Sequence, residues 1–137
     1  MTQEDRQIFL KDLCARTPYG VKVQYMNNIF VIDYVSSYEE VKLDIPDNWT
    51  VGVSEVKPYL FPLSSMTEEQ KVELKQEHIK DEKLYVECLT MAAKGDSSMR
   101  GKVIIHYAMD WCYKNHFDIY GLIPMGLALD ATGLNIY

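Results

Sequence analysis

The sequence predicts an α+β fold in a single domain spanning 1–137, strand-rich over 19–62 and helical over 67–137. Three observations lead there. A helical apolar stripe precedes the stop at Pro18-Tyr19-Gly20, period-two alternation runs from Val21 to Val53, and helix-start signals punctuate the remainder. With 137 residues, 47% of them hydrophobic, the chain can bury one core without disulfides or structural metal.

The first helix is expected over residues 3–15. Thr2 and Asp5 form a capping-box variant, and Phe9, Leu10, Leu13 and Cys14 fall on one face. Beyond Gly20, Val21, Val23 and Tyr25 alternate with Lys22 and Gln24 as a strand, and Asn27-Asn28 supply two positive-φ positions for a tight hairpin. The returning strand covers residues 29–35 and a third covers 41–45, ending in the turn Pro46-Asp47-Asn48, while Trp49, Val51 and Val53 mark a fourth. Strands this short are expected to curl into a meander or small barrel, which hides their edges.

Residues 55–62 contain Pro58 and Pro62 and are predicted to be an extended connector, since proline lacks the N–H that a central strand uses. Thr67 and Gln70 then form a capping box, with Glu68 and Glu69 in the first turn of a second helix. Its apolar positions Val72 and Ile79 lie seven apart. Glu69, Glu73, Glu77 and Asp81 stack at four-residue intervals, either as a solvated face or as an interaction surface for a basic partner. Residues 84–93 fit a helix or a strand, and helix is preferred. Lys94-Gly95-Asp96-Ser97 ends that segment. Ser97 or Ser98 caps a last helix reaching about Asn115, with Ile104, Ile105, Ala108, Trp111 and Cys112 inward. The block that follows is rich in aromatics and glycine and nearly free of charge, as expected of an ordered closing element in which His116, Phe117, Asp118 and Tyr120 clasp the strands.

A formal charge of −6 argues against non-specific binding to nucleic acid, which needs clustered Lys and Arg, and is compatible with a basic protein partner. The charged start, Met1-Thr-Gln-Glu-Asp-Arg, lacks the apolar run of a secretory signal, and no stretch is apolar enough to span a bilayer. A cytoplasmic location without membrane association is expected. Cys14, Cys88 and Cys112 are then expected as reduced, buried small hydrophobes.

Chemistry is nearly present in places. Gly95 to Lys102 invites comparison with a phosphate-binding loop. However, five residues rather than four separate its glycines, and Val103 stands where Ser or Thr would hold magnesium. Read plainly it is an interhelical loop, in which Arg100 and Lys102 are the basic groups a nucleotide could use, with Tyr120 as a further cofactor-binding candidate. His106 with Asp110, and Cys112 with His116, have helical ligand spacing but point in different directions, so no metal site and no cofactor is predicted. The two histidines are expected to be partly exposed on the helix, and Trp49 and Trp111 are read as core or hinge aromatics. No catalytic residue is assigned, because nothing identifies a base or orienter for Ser64, Ser65 or any cysteine.

Three segments are similar to those of a group of short proteins of gut Bacteroidales bacteria and their phages and prophages: Leu10 through Lys22, Val56 through Gln70, and Asp110-Trp111 through Tyr137 with its Asn-His-Phe-Asp, Gly-Leu-Ile and Gly-Leu-Ala wording. The resemblance implies an SH3-like strand cluster closed by helices, and carries no activity or catalytic residue. The sequence therefore leaves three classes of function. They are a non-enzymatic interaction protein of phage or mobile-element origin that inhibits a host defence system, a small-ligand or nucleotide binder, and an enzyme of unrecognised type.

Overall fold

The computed structural model describes residues 1–47, 49–78 and 99–137, with backbone alone for 75–78 and 99–106. The expectations for 84–93, Cys88, Asn48, Ile79, Asp81 and 95–98, and for the side chains of Glu77, Arg100, Lys102, Ile104, Ile105 and His106, lie outside the described residues.

Helix α1 (Gln3–Arg16) begins at the predicted cap: Asp5 N–H donates to Thr2 Oγ1 at 3.1 Å while Thr2 N–H donates back to Asp5 Oδ2 at 3.2 Å. It ends in a 3-10 turn, Thr17–Tyr19, and Gly20 then takes φ 68°, the left-handed conformation glycine adopts without penalty. The inward stripe is Phe9, Asp12, Leu13 and Arg16, whereas Cys14 is exposed. That corrects the expected phase: the helix is rotated so that an i, i+4 charged pair is buried and the thiol faces out.

Strands β1 (Lys22–Tyr25) and β2 (Asn28–Val35) form the expected hairpin, but its two positive-φ residues are Met26 and Asn27. The turn closes one residue earlier than predicted because Asn28 opens β2 opposite Tyr25, which frees its side-chain amide to donate to Met26 O at 3.1 Å. Strands β3 (Glu40–Leu43) and β4 (Thr50–Gly52) continue the meander, with a bulge between Ile32 and Tyr34. A 3-10 turn, Val53–Glu55, leads to β5 (Lys57–Pro62). The proline-bearing segment is therefore a central strand and not a connector: β1 pairs with it antiparallel, and β6 (Phe117–Asp118) and β7 (Leu129–Asp130) pair with it in parallel. Pro62 closes the strand, and Pro58 faces Val23 as a non-hydrogen-bonded pair of the ladder, where no proline N–H is needed. The order β4-β3-β2-β1-β5, with a 3-10 turn before β5, is that of an SH3-like strand cluster.

Helix α2 (Glu68–His78) starts at the predicted capping box, with Gln70 N–H to Thr67 Oγ1 at 3.1 Å and Thr67 N–H to Gln70 Oε1 at 2.9 Å. Its buried anchor is Leu74, and Val72 is exposed. Helix α3 (Met99–Lys114) places the backbone of Arg100 and Lys102 inside a helix, so that part of the expected loop is helical. Among the described residues no helix is long and apolar enough to cross a membrane.

Two apolar clusters result. The first packs Phe9 and Leu13 of α1 against Val21, Val23, Ile32, Val41, Leu43 and Leu60, closed by Leu122 and Ala128. Burying each such side chain contributes about 1.5–3 kcal/mol. The second joins Leu74, Ala108, Trp111, Cys112 and Phe117, and Tyr120 touches both. The residues after α3 are thus not helical as expected for 67–137; they turn back as β6 and β7 and extend the sheet.

Candidate functional site

Between α1 and α3 lies a cleft of about 470 Å³, lined by Lys11, Ala15, Pro18, Tyr19, Met109, Asp110 and Tyr113. Both helices expose small or apolar side chains there. Tyr19 bridges the cleft by donating its hydroxyl to Asp110 Oδ1, and that acceptor holds the phenol above its usual pKa.

A buried polar chain underlies this end of the molecule. Asp12 and Arg16, both without exposed surface, form a two-point ion pair at 2.7 and 2.9 Å. Arg16 Nη2 also donates to Phe117 O at 2.5 Å, tying α1 to β6, and the guanidinium lies 5.1 Å from the Tyr113 ring centre. Among the described residues its Nη1 has no hydrogen-bond partner. Burial is the largest influence on Asp12 and raises its carboxyl pKa, against the opposing pull of Arg16. The Tyr113 and Tyr120 hydroxyls are 3.3 Å apart, and Lys11 Nζ lies 6.0 Å from the Tyr120 ring centre.

Beyond this pair, Asp118 accepts from Leu122 N–H at 2.8 Å and Ile123 N–H at 2.9 Å, fixing the turn that carries Leu122 into the core. His116 has left the helix. It sits at φ 65°, offers its carbonyl to Phe61 N–H at 2.8 Å, and is only 8% exposed. This corrects its expected place on an exposed helical face and removes the helical spacing from Cys112. Burial, with Arg16 and Lys22 nearby, lowers His116 to about 4, and burial raises the Cys112 thiol to about 12. A neutral imidazole whose Nδ1 has no partner among the described residues and a thiol this reluctant to ionise do not make a nucleophile and its base.

No family model, curated protein or solved structure matches this chain.

Among the described residues, the sequence-predicted Glu69, Glu73 and Tyr120 do not share one site. Glu69 and Glu73 are exposed on α2, away from the cleft lining. Tyr120 lies beside the cleft, contacting two residues that line it, Lys11 and Tyr113. Trp111 is core, but Trp49 is 44% exposed, which corrects its expected burial. Among the described residues no group of three or more His, Cys, Asp or Glu could hold a metal ion. Sequence reasoning missed Asp12 and Arg16. Their i, i+4 spacing was visible, but such pairs normally lie on a solvated face.

Proposed function

We propose that the protein is a non-enzymatic interaction module, and that its partner is a host component that it inhibits, in keeping with the resemblance to phage-associated proteins read from its sequence. The supporting observation is where large apolar side chains stay in water. Met26, Ile29 and Tyr34 on the β1–β2 hairpin, Tyr38 in the following turn and Trp49 before β4 are all exposed. Tyrosine, tryptophan and methionine are enriched in protein interfaces, and a rigidly held tryptophan makes an effective anchor. Trp49 is held edge-on to Tyr25, ring centres 5.3 Å apart, so its orientation is set before any partner arrives. Capture from a host lysate by the unsubstituted protein and by an Ile29→Lys/Trp49→Ala variant tests this. A stoichiometric partner lost from the folded variant supports the reading, and equal capture by both proteins refutes it.

The cleft supports a second reading, a small-ligand binder. Its volume of about 470 Å³ falls in the range of ligand pockets, with Lys11 and Asp110 as opposite charges on mainly apolar walls. A ligand at a hundredfold excess over its Kd stabilises the fold by about 2.7 kcal/mol, so a thermal-shift screen that finds none removes this reading.

A further inference from the structure

Tyr137 is bound to the rest of the molecule as a ligand is bound to a site. Its ring stacks on His116 at 3.6 Å between centres and 13° between planes, and tilts against Phe61 at 5.9 Å. Lys22 Nζ lies 5.6 Å from the ring centre and donates to Ile136 O. The hydroxyl accepts from Lys22 N–H at 2.9 Å and donates to Tyr59 O at 2.7 Å.

Those two backbone groups belong to facing strands. The β1–β5 register pairs Val23 with Pro58 and Gln24 with Lys57, so continuing it sets Lys22 opposite Tyr59. Proline cannot donate, which makes Val23–Pro58 the non-hydrogen-bonded pair and Lys22–Tyr59 a place for a ladder rung. The Tyr137 hydroxyl is inserted into that rung, reading a donor on one strand and an acceptor on the other. Meanwhile the strap that delivers it is lightly held. Between Ala131, whose N–H reaches Leu60 O, and Ile136, the hydrogen bonds are the local ones from Thr132 to Asp130 and from Leu134 to Ala131. Residues 132–135 are exposed.

We propose that the slot between His116, Phe61, Lys22 and Tyr59 is a phenol-recognition site, filled in cis by Tyr137 and open to a tyrosyl side chain presented in trans when the strap lifts. Its specificity comes from the split rung, since an aromatic ring without a hydroxyl leaves Lys22 N–H and Tyr59 O without the partner that the Tyr137 hydroxyl supplies. It lies at the far end of β1 from the hairpin surface and is independent of the role proposed there.

The test removes the internal ligand and offers its side chain back. Tyr137→Ala is titrated with p-cresol and with toluene, followed by thermal shift and by the His116 imidazole signals in NMR. The expected result is that p-cresol raises the Tm and returns the His116 signals to their positions in the unsubstituted protein, while toluene binds at least about tenfold more weakly. Equal affinity for the two compounds, or binding of neither, overturns the proposal. Should Tyr137→Ala not fold, Tyr137→Phe decides. There p-cresol must displace the ring at lower concentration than in the unsubstituted protein, and failure to do so refutes the split rung as the source of specificity.

Discussion

Acidification should weaken this fold through His116, and the size of the effect follows from the site. In the unfolded chain the imidazole takes up a proton near its ordinary value of 6.5; in the folded protein, buried between the Tyr137 ring and the charges of Arg16 and Lys22, it does so only at about 4. Between those values the unfolded state holds more protons than the folded state, so stability rises with pH across that window. It is constant above the window and fully reduced below it. By about pH 4 the loss reaches about 3 kcal/mol, a large share of the stability of an ordinary domain.

Other groups titrate in the same range, so a single pH scan is not decisive. Asp12 works in the opposite direction: its raised folded pKa means that acid favours the folded state at that residue. The comparison with His116→Asn isolates the histidine, and asparagine suits the position because it tolerates the φ of 65° found there. Urea unfolding at about pH 7.5 and about pH 4 gives the two stabilities of each protein. The variant should be the weaker of the two at neutral pH, having lost the ring stack, and should lose about 3 kcal/mol less than the unsubstituted protein on acidification. Identical pH dependence in both proteins, or a His116 titration near the ordinary histidine value by NMR, would refute this reasoning.

Three further outcomes are expected. Arg16→Met leaves the Asp12 carboxylate buried without its cation and should cost about 3–5 kcal/mol in urea unfolding, much of it recovered in Asp12→Leu/Arg16→Met; a double variant no better than the single one counts against the pair. Replacing Met26-Asn27 with Asn-Gly should stabilise the hairpin by about 1 kcal/mol, because both positions hold positive φ and methionine resists it; no gain in urea midpoint would mean that the turn is not strained. Lys42 is buried with its ammonium donating to the carbonyls of Leu43, Ile45 and Asp47 at 2.6, 3.2 and 3.1 Å. Lys42→Met should therefore cost about 1–3 kcal/mol, while a near-neutral result would show those carbonyls reaching water instead.

What the sequence revealed and what it concealed divide by the range of the interactions involved. The caps at Thr2 and Thr67 were legible because donor and acceptor lie three residues apart, and alternation from Val21 to Val53 marked the meander because its period is a property of the chain itself. Pro58 misled because a proline's tolerance in a strand depends on which rung it occupies, and that is set by β1. Arg16 went unnoticed because the carbonyl that receives its second amino group belongs to Phe117, 101 residues away. The same holds for the candidate sites. Lys11 and Tyr19 meet Met109 and Asp110 only after two helices pack, and Tyr137 finds its slot only after β1 and β5 have taken a register that leaves one rung to be completed by a side chain. A hydroxyl placed there cannot be inferred from any local pattern. Its position depends on the mismatch between two strands, which is also why a ring lacking that oxygen should fit the space and still bind poorly.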